Sequence, residues 1–314
     1  MPFRRLITAI LIAAVGRLAT PARADDVIRG HTVDRPAEGL VIGAALGAAL
    51  GLSAIPVSTA RALWTRELFG EADAAVHARF SPRAAALSDA ALAATVAAPV
   101  AYLTGNTIED ADGDRLMLYG EALAINLALF EGAKHLVQRP RPYLYSQLPE
   151  VRRYAAAQGK DAYQSFYSAH AATAFCAATA GAYLAATSTR SRGARAAAWG
   201  SGFASAAAAS NLRVRAGKHF YSDILIGSVI GMAIGYAVPA LHADGRPYAP
   251  SRADLGAAAA GVIGGGLVSQ LLPLERRPAE LSRGRRAWLR RANLKVGPLQ
   301  VPSGAGLGIG GKLR

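Results

Sequence analysis

The chain has 314 residues, 52% hydrophobic and only 18% charged, with a formal net charge of +14. That balance favours a well-buried helical bundle or a membrane protein, and a single cysteine, Cys176, excludes an internal disulfide framework. The positive excess calls for an anionic partner, phosphate groups or an anionic membrane surface first; nucleic acid is the competing partner, but no nucleic-acid motif accompanies the basic residues.

The N-terminus has the layout of a secretory signal: Arg4 and Arg5, an apolar run from Leu6 to Val15, and an Ala22-Arg23-Ala24 cleavage site. Cleavage after Ala24 would remove four arginines and no acids, lowering the formal charge to +10. An uncleaved anchor is the alternative, because Arg17 interrupts the apolar part late. Residues 25–83 read as a helical extension. Within it the 40–57 stretch spaces Gly43, Gly47 and Gly51 by four, which suits a close-packed helix in a membrane or in a soluble bundle. Apolar stretches follow at 84–104 and 115–133. Between them Asp110, Asp112, Asp114 and Glu121 fall at calcium-loop positions, but Arg115 stands where that loop needs glycine, so an acidic helix entry is the better account.

Residues 115–134 read as a helix ending at Lys134. Two Ala-rich helices, 170–188 and 195–212, are joined by a turn carrying Arg190, Arg192, Gly193 and Arg195. A hairpin brings its far ends together, so His170 and Arg213 should meet at one end of the bundle. A helix at about 223–241 leaves from that end, and the 142–169 stretch returns Arg141 towards His170 and can cap the site. After an apolar stretch at 254–272 comes a basic run from Arg276 to Lys295 around Trp288, read as a solvated or membrane-apposed helix. Residues 292–314 end the chain as a Gly-rich β-hairpin or flexible tail. The fold class is thus all-α: about six or seven helices with the active site at one end, 84–241 forming the catalytic bundle and 242–291 an added apolar helix and basic segment.

Three segments carry the chemistry: Lys134-x6-Arg141-Pro142, Ser168-Ala169-His170, and Arg213-x5-His219-x3-Asp223. They supply three cations, two imidazoles, a hydroxyl and a carboxylate to a chain otherwise poor in polar residues. A phosphoryl group in transfer spreads negative charge over its oxygens, so its catalysis is mostly positioning and electrostatic stabilisation. Lys134, Arg141 and Arg213 suit a clamp, Ser168 and the N–H groups near Ala169 suit further donors, His219 with Asp223 four residues on suits an oriented nucleophile, and His170 is the remaining acid.

The three segments resemble the signature of the type 2 phosphatidic acid phosphatase and vanadium haloperoxidase superfamily, K-x6-R-P, P-S-G-H and S-R-x5-H-x3-D, over roughly residues 84–241. The resemblance implies that Lys134, Arg141 and Arg213 bind phosphate, that Ser168 donates to it, that His170 is the general acid, that His219 is the nucleophile and that Asp223 orients it. The chain departs from the pattern at Tyr167 for proline, Ala169 for glycine and Leu212 for serine; an alanine methyl in place of glycine touches rate or substrate choice first, since every charged or titrating position is kept. The expected activity is metal-independent hydrolysis of a phosphorylated small molecule or a lipid phosphate through a phosphohistidine, with no cofactor, because no set of His, Cys or acidic residues shows metal-ligand spacing. The alternatives are a vanadate-dependent haloperoxidase, in which the same residues hold vanadate, and a non-catalytic membrane bundle that keeps the pocket for binding. The expected location is the cell envelope, membrane-associated and facing the periplasm. Counting every apolar stretch as a span conflicts with the positive-inside rule at the Arg190–Arg195 turn, so at least one stretch does not cross.

Overall fold

The computed structural model describes residues 30–59, 62–65, 67–105 and 111–274, with Ala111 and Asp112 by backbone alone, together with the backbone of 294–301 and 304–311. The signal-like segment 1–24, Asp110 and the basic run from Arg276 to Arg291 lie outside the described residues. The chain divides into two units at Leu272. In the second, the backbone of strand β1 (Leu294–Val301) pairs antiparallel with β2 (Gly304–Gly311).

In the first unit the regular elements among the described residues are helices, with one isolated bridge between His31 and Ala243. Its elements are α1 (Arg35–Ala54), a single turn α2 (Glu71–Ala74), α3 (Pro82–Gly105), α4 (Ala111–Val137), α5 (Pro149–Ala157), α6 (Ala169–Ser188), α7 (Arg192–Arg215), α8 (Tyr221–Leu241) and α9 (Arg252–Leu271). Two 3-10 turns, Pro142–Tyr145 and Gly159–Tyr163, flank α5.

Local chemistry sets several of the boundaries. Asp34, Ser168, Ser191 and Ser251 each accept a backbone N–H in the first turn of the helix that follows, satisfying donors that a helix start leaves unpaired. Helix α6 is the axis of the bundle, with sixteen of its twenty residues buried. Alanine lines every side of it, and a helix apolar all round belongs inside. Tyr183, Trp199, Phe203 and Tyr248 fill the space that the alanines leave, stacking edge to face or tilted.

Helix α8 approaches α6 closely because Gly227, Gly231 and Gly235 share one face. A Cβ on Gly231 would stand 2.1 Å from the carbonyl oxygen of Ala172, and one on Gly235 would stand 2.4 Å from that of Cys176. Both neighbours are backbone, so the helices must part to admit a methyl. We expect Gly231→Ala to destabilise the protein by about 1–3 kcal/mol, the usual cost of overpacking, read as a lower melting midpoint. An unchanged midpoint would show that the α6–α8 spacing is not tight. The Gly43, Gly47, Gly51 face of α1 behaves differently: nothing lies within 4 Å of a Cβ built at any of the three. The close packing suggested for 40–57 is therefore not made inside the described chain.

Five helices are long and apolar enough to cross a membrane: 35–54, 82–105, 113–145, 221–241 and 252–271. The Ala-rich helices α6 and α7 are not among them; both are long enough, and it is composition that sets them apart. Helices α1 and α9 turn Leu40, Leu50, Ile263, Leu267 and Val268 outward. Such faces suit association with a membrane.

Candidate active site

The 3-10 turns and α5 run over the end of the bundle where α4 and α7 finish and α6 and α8 begin. There a cleft of about 330 Å³ is lined by Lys134, Arg141, Asp161, His170, Arg213 and His219, with Ala169, Thr173, Glu131 and apolar Leu92 and Phe130 completing the wall. Six residues singled out in the sequence therefore share one cleft: Lys134, Arg141, Ala169, His170, Arg213 and His219. Ser168 and Asp223 are fully buried behind it.

Each cation is held by a carboxylate. Lys134 Nζ donates to Glu131 Oε1 at 2.8 Å, one turn back on α4. Arg141 uses its fork on one residue, with Nε on the Asp161 carbonyl at 2.7 Å and Nη2 on the Asp161 carboxylate at 2.5 Å. Arg213 Nη1 reaches Asp89 Oδ1 on α3 at 3.1 Å. Buried cations need such partners. A phosphate entering the cleft can exchange with the carboxylates for the same donors. Arg213 Nε, moreover, is buried with no hydrogen-bond partner among the described residues, a donor left for an anion. Burial, and next to it the Arg141 charge, lower the pKa of Arg213 to about 10. Burial pushes the Asp161 carboxyl up, but Arg141, Lys218 and Lys134 outweigh it and hold it below its ordinary value.

His219 follows a tight turn. Gly217 has φ of +71° and packs against the backbone of Arg79, where a Cβ would lie 1.8 Å from the carbonyl oxygen; only glycine fits both conditions. The turn releases the chain from α7 and places His219 just ahead of α8. Its Nδ1 lies 2.7 Å from the Ser165 carbonyl oxygen. A carbonyl only accepts, so Nδ1 carries the proton and Nε2 keeps the lone pair. Burial, followed by the Arg141 and Arg213 charges, holds the imidazole well below its ordinary pKa, so it is neutral.

Asp223 stands 3.8 Å from the same Nδ1. Because α8 begins at Tyr221, His219 precedes the helix, and the spacing of four does not act as one helical turn. Asp223 instead accepts from the Phe220 N–H at 2.9 Å, from Ser165 Oγ at 2.6 Å and from Arg139 Nη1 at 2.7 Å. It thus fixes the residue whose carbonyl holds His219. Ser168 caps α6, its Oγ accepting from the Ala171 N–H at 3.3 Å while its own N–H donates to the Asp223 carbonyl at 3.1 Å. The structure does not place it on the cleft wall.

His170, in the first turn of α6, has Nε2 2.7 Å from Asp89 Oδ1. Burial first, and then Arg213, pull its pKa below the ordinary value, against the raising effect of Asp89. Ala169 is the first residue of α6 and takes no left-handed conformation, so its methyl meets no backbone penalty. We expect Ala169→Gly to keep or raise turnover on small phosphomonoesters at a helix cost of at most about 1 kcal/mol. A marked drop in turnover with the protein still folded would make the methyl part of the site.

Sequence reasoning missed a second set of residues. Arg139, fully buried, donates to Asp223, to Ser222 Oγ at 2.7 Å, to Asp73 Oδ2 at 3.0 Å and to Glu67. The Arg-Pro-Arg-Pro run contributes both arginines to the interior, Arg139 beneath His219 and Arg141 beside it. Asp89, Asp161 and Ser165 were likewise unmarked. Each is a common polar residue far in sequence from its partner; the signal that was present is the first arginine of that run, which needs carboxylates wherever it is buried.

Residues 115–246 match the PAP2 superfamily. The PAP2 match contains all eight residues picked out from the sequence and is the superfamily that the three segments resemble. Its activities are of phosphatase or haloperoxidase type, on phosphorylated substrates in the phosphatases. Glu67, Asp73 and Asp89 lie outside the matched residues and bring α3 and the segment before it to the site. No curated protein and no solved structure matches the chain.

Proposed function

We propose that the cleft hydrolyses a phosphomonoester or a lipid phosphate through a phosphohistidine on His219, without a metal ion. The observation that carries this reading is the neutral His219, its Nδ1 proton held by the Ser165 carbonyl, on the same wall as three cations. The Nε2 lone pair attacks phosphorus as the bond from phosphorus to the leaving oxygen breaks. Lys134, Arg141 and Arg213 take the charge on the phosphoryl oxygens. His170 gives its proton to the departing alkoxide, then accepts one from the water that splits the phosphohistidine, so protons balance over the cycle. Asp89, bonded to both His170 and Arg213, couples the acid to the clamp.

In this reading Ser168 serves the phosphate by capping the helix whose first turn faces the cleft. A bundle with apolar outer helices, embedded in the cell envelope with the cleft facing the periplasm, would present that cleft at the headgroup level of a lipid. Either a lipid phosphate or a soluble phosphomonoester fits the chemistry.

The test is turnover of p-nitrophenyl phosphate by the purified chain, with vanadate as inhibitor, beside halide oxidation with added vanadate and peroxide. Hydrolysis inhibited by vanadate supports the proposal, because vanadate takes the trigonal bipyramidal shape of the transferring phosphoryl group. Halide oxidation without hydrolysis would assign the cleft to haloperoxidase chemistry, and neither activity would leave a binding pocket.

The acid can be tested separately. The surroundings of His170 keep its pKa low, so its protonated fraction falls as pH rises, while His219 stays neutral and available. Turnover of substrates with poor leaving groups should therefore fall as pH rises above about 4, the value to which burial and Arg213 lower His170, and His170→Ala should flatten that slope and hurt poor leaving groups most. Equal losses across a leaving-group series would remove His170 from the acid role.

A further inference from the structure

A second cluster of ligating side chains lies at the other end of the bundle. Glu38 comes from the first turn of α1, Glu121 from α4 and His242 from just past α8. One ligand atom from each lies within 4.8 Å of the other two. His242 lies nineteen positions beyond Asp223 along α8, about 28 Å of helix, so this cluster shares nothing with the cleft.

Two observations show where a positive charge belongs in the cluster. His242 Nδ1 lies 2.8 Å from the Val238 carbonyl oxygen, which only accepts, so Nδ1 carries a proton. Nε2 faces Glu38 Oε1 at 2.9 Å, so either a second ring proton or a metal ion stands between the nitrogen and the carboxylate. Glu121 is only 5% exposed and leaves Oε2 without a hydrogen-bond partner among the described residues, in a cluster whose other carboxylate is Glu38. A buried carboxylate beside another, with an open lone pair, requires a proton or a cation.

We infer that Glu38, Glu121 and His242 bind a divalent transition-metal ion, for which zinc is the best fit. One imidazole and two carboxylates form a borderline nitrogen–oxygen set, and zinc accepts that mixture with bonds of about 2.0–2.2 Å. Ligand atoms around such an ion stand roughly 3.3 Å apart, within the spread seen here. The Nδ1–H to Val238 bond is the outer contact that fixes a metal-binding imidazole. The ion would tie α1, which lies outside the residues matched by the family, to α4 and α8. Its role is structural and does not depend on the phosphatase reading.

The test uses the full chain purified in detergent, stripped with EDTA and desalted, then titrated with zinc chloride by calorimetry. One zinc per chain is expected, and zinc should raise the melting midpoint. Glu121→Gln and His242→Ala should each weaken uptake by at least about tenfold and abolish the thermal shift. His170→Ala, in the cleft, should leave uptake intact. Cobalt(II) in place of zinc should show ligand-field absorption in the parent that is lost in Glu121→Gln. That substitution keeps shape and removes a charge, so it carries the test should His242→Ala fail to fold. No stoichiometric uptake by the folded parent would overturn the proposal in favour of a proton shared by the carboxylates. Uptake that survives both far-end variants, or that vanishes in His170→Ala, would also overturn it.

Discussion

His219→Ala is expected to lower phosphate-ester turnover by about 10³-fold or more while the protein remains folded. Among the described residues the other imidazole on the cleft wall is His170, and its Nε2 is held by Asp89. The substitution leaves Lys134, Arg141 and Arg213 in place, so the variant should still bind phosphate or vanadate. Rapid acid quench should trap an acid-labile phosphoenzyme in the parent and none in the variant. The fold should survive with a modest loss, because the change removes one hydrogen bond to the Ser165 carbonyl and opens a small cavity. Near-normal turnover in the folded variant would remove His219 from the mechanism.

The second large effect concerns stability. Arg139 is fully buried with Glu67, Asp73 and Asp223 around its guanidinium and the Phe220 ring 3.7 Å from its centre. Removing the cation leaves three carboxylates facing one another in the interior. Breaking a buried ion pair from one side costs about 3–5 kcal/mol, so Arg139→Met should lower the melting midpoint by roughly 6 °C or more. Turnover should fall as well, since Asp223 loses its anchor and with it the Ser165 contact that holds His219. Arg139→Lys should recover only part of both, because an ammonium cannot match a planar fork reaching three acidic partners. An Arg139→Met protein that melts with the parent would show that the carboxylates are neutral without it.

How far the site can be read from the sequence depends on the distance between partners along the chain. Lys134 with Arg141, and Arg213 with His219 and Asp223, are short-range sets whose residue types suit the phosphate chemistry proposed for them. Asp89 and Asp161 are isolated acids in their own neighbourhoods, Glu67 and Asp73 flank Glu71, and all four acquire meaning only when a buried cation is placed against them. The zinc ligands proposed at the far end are the extreme case: 83 residues separate Glu38 from Glu121, and 121 separate Glu121 from His242, so no spacing rule can join them. Glu121 even completes a calcium-loop spacing with the acids before it, yet Asp114 pairs with Arg35 and Glu121 joins Glu38 and His242 instead.

The sequence by itself determined the helical class, the order of the long helices and the end of the bundle at which the polar residues gather. Apolar periodicity, caps and hairpin connections are local, and local chemistry suffices for them. It also singled out Lys134, Arg141, Arg213 and the two imidazoles that share one cleft. Only the tertiary structure decided which faces turn inward. Gly43, Gly47 and Gly51 have the same spacing as Gly227, Gly231 and Gly235, yet the first set meets nothing and the second admits the α6 backbone. The tertiary structure also decided what holds His219. The spacing of four to Asp223 is legible, but the turn at Gly217 keeps His219 out of the helix, and the Ser165 carbonyl, 54 residues away, becomes its direct partner. The reason is physical: a periodicity fixes which side chains share a face, whereas the partner of that face is chosen by packing the whole chain and by the need of every buried charge for its counterpart.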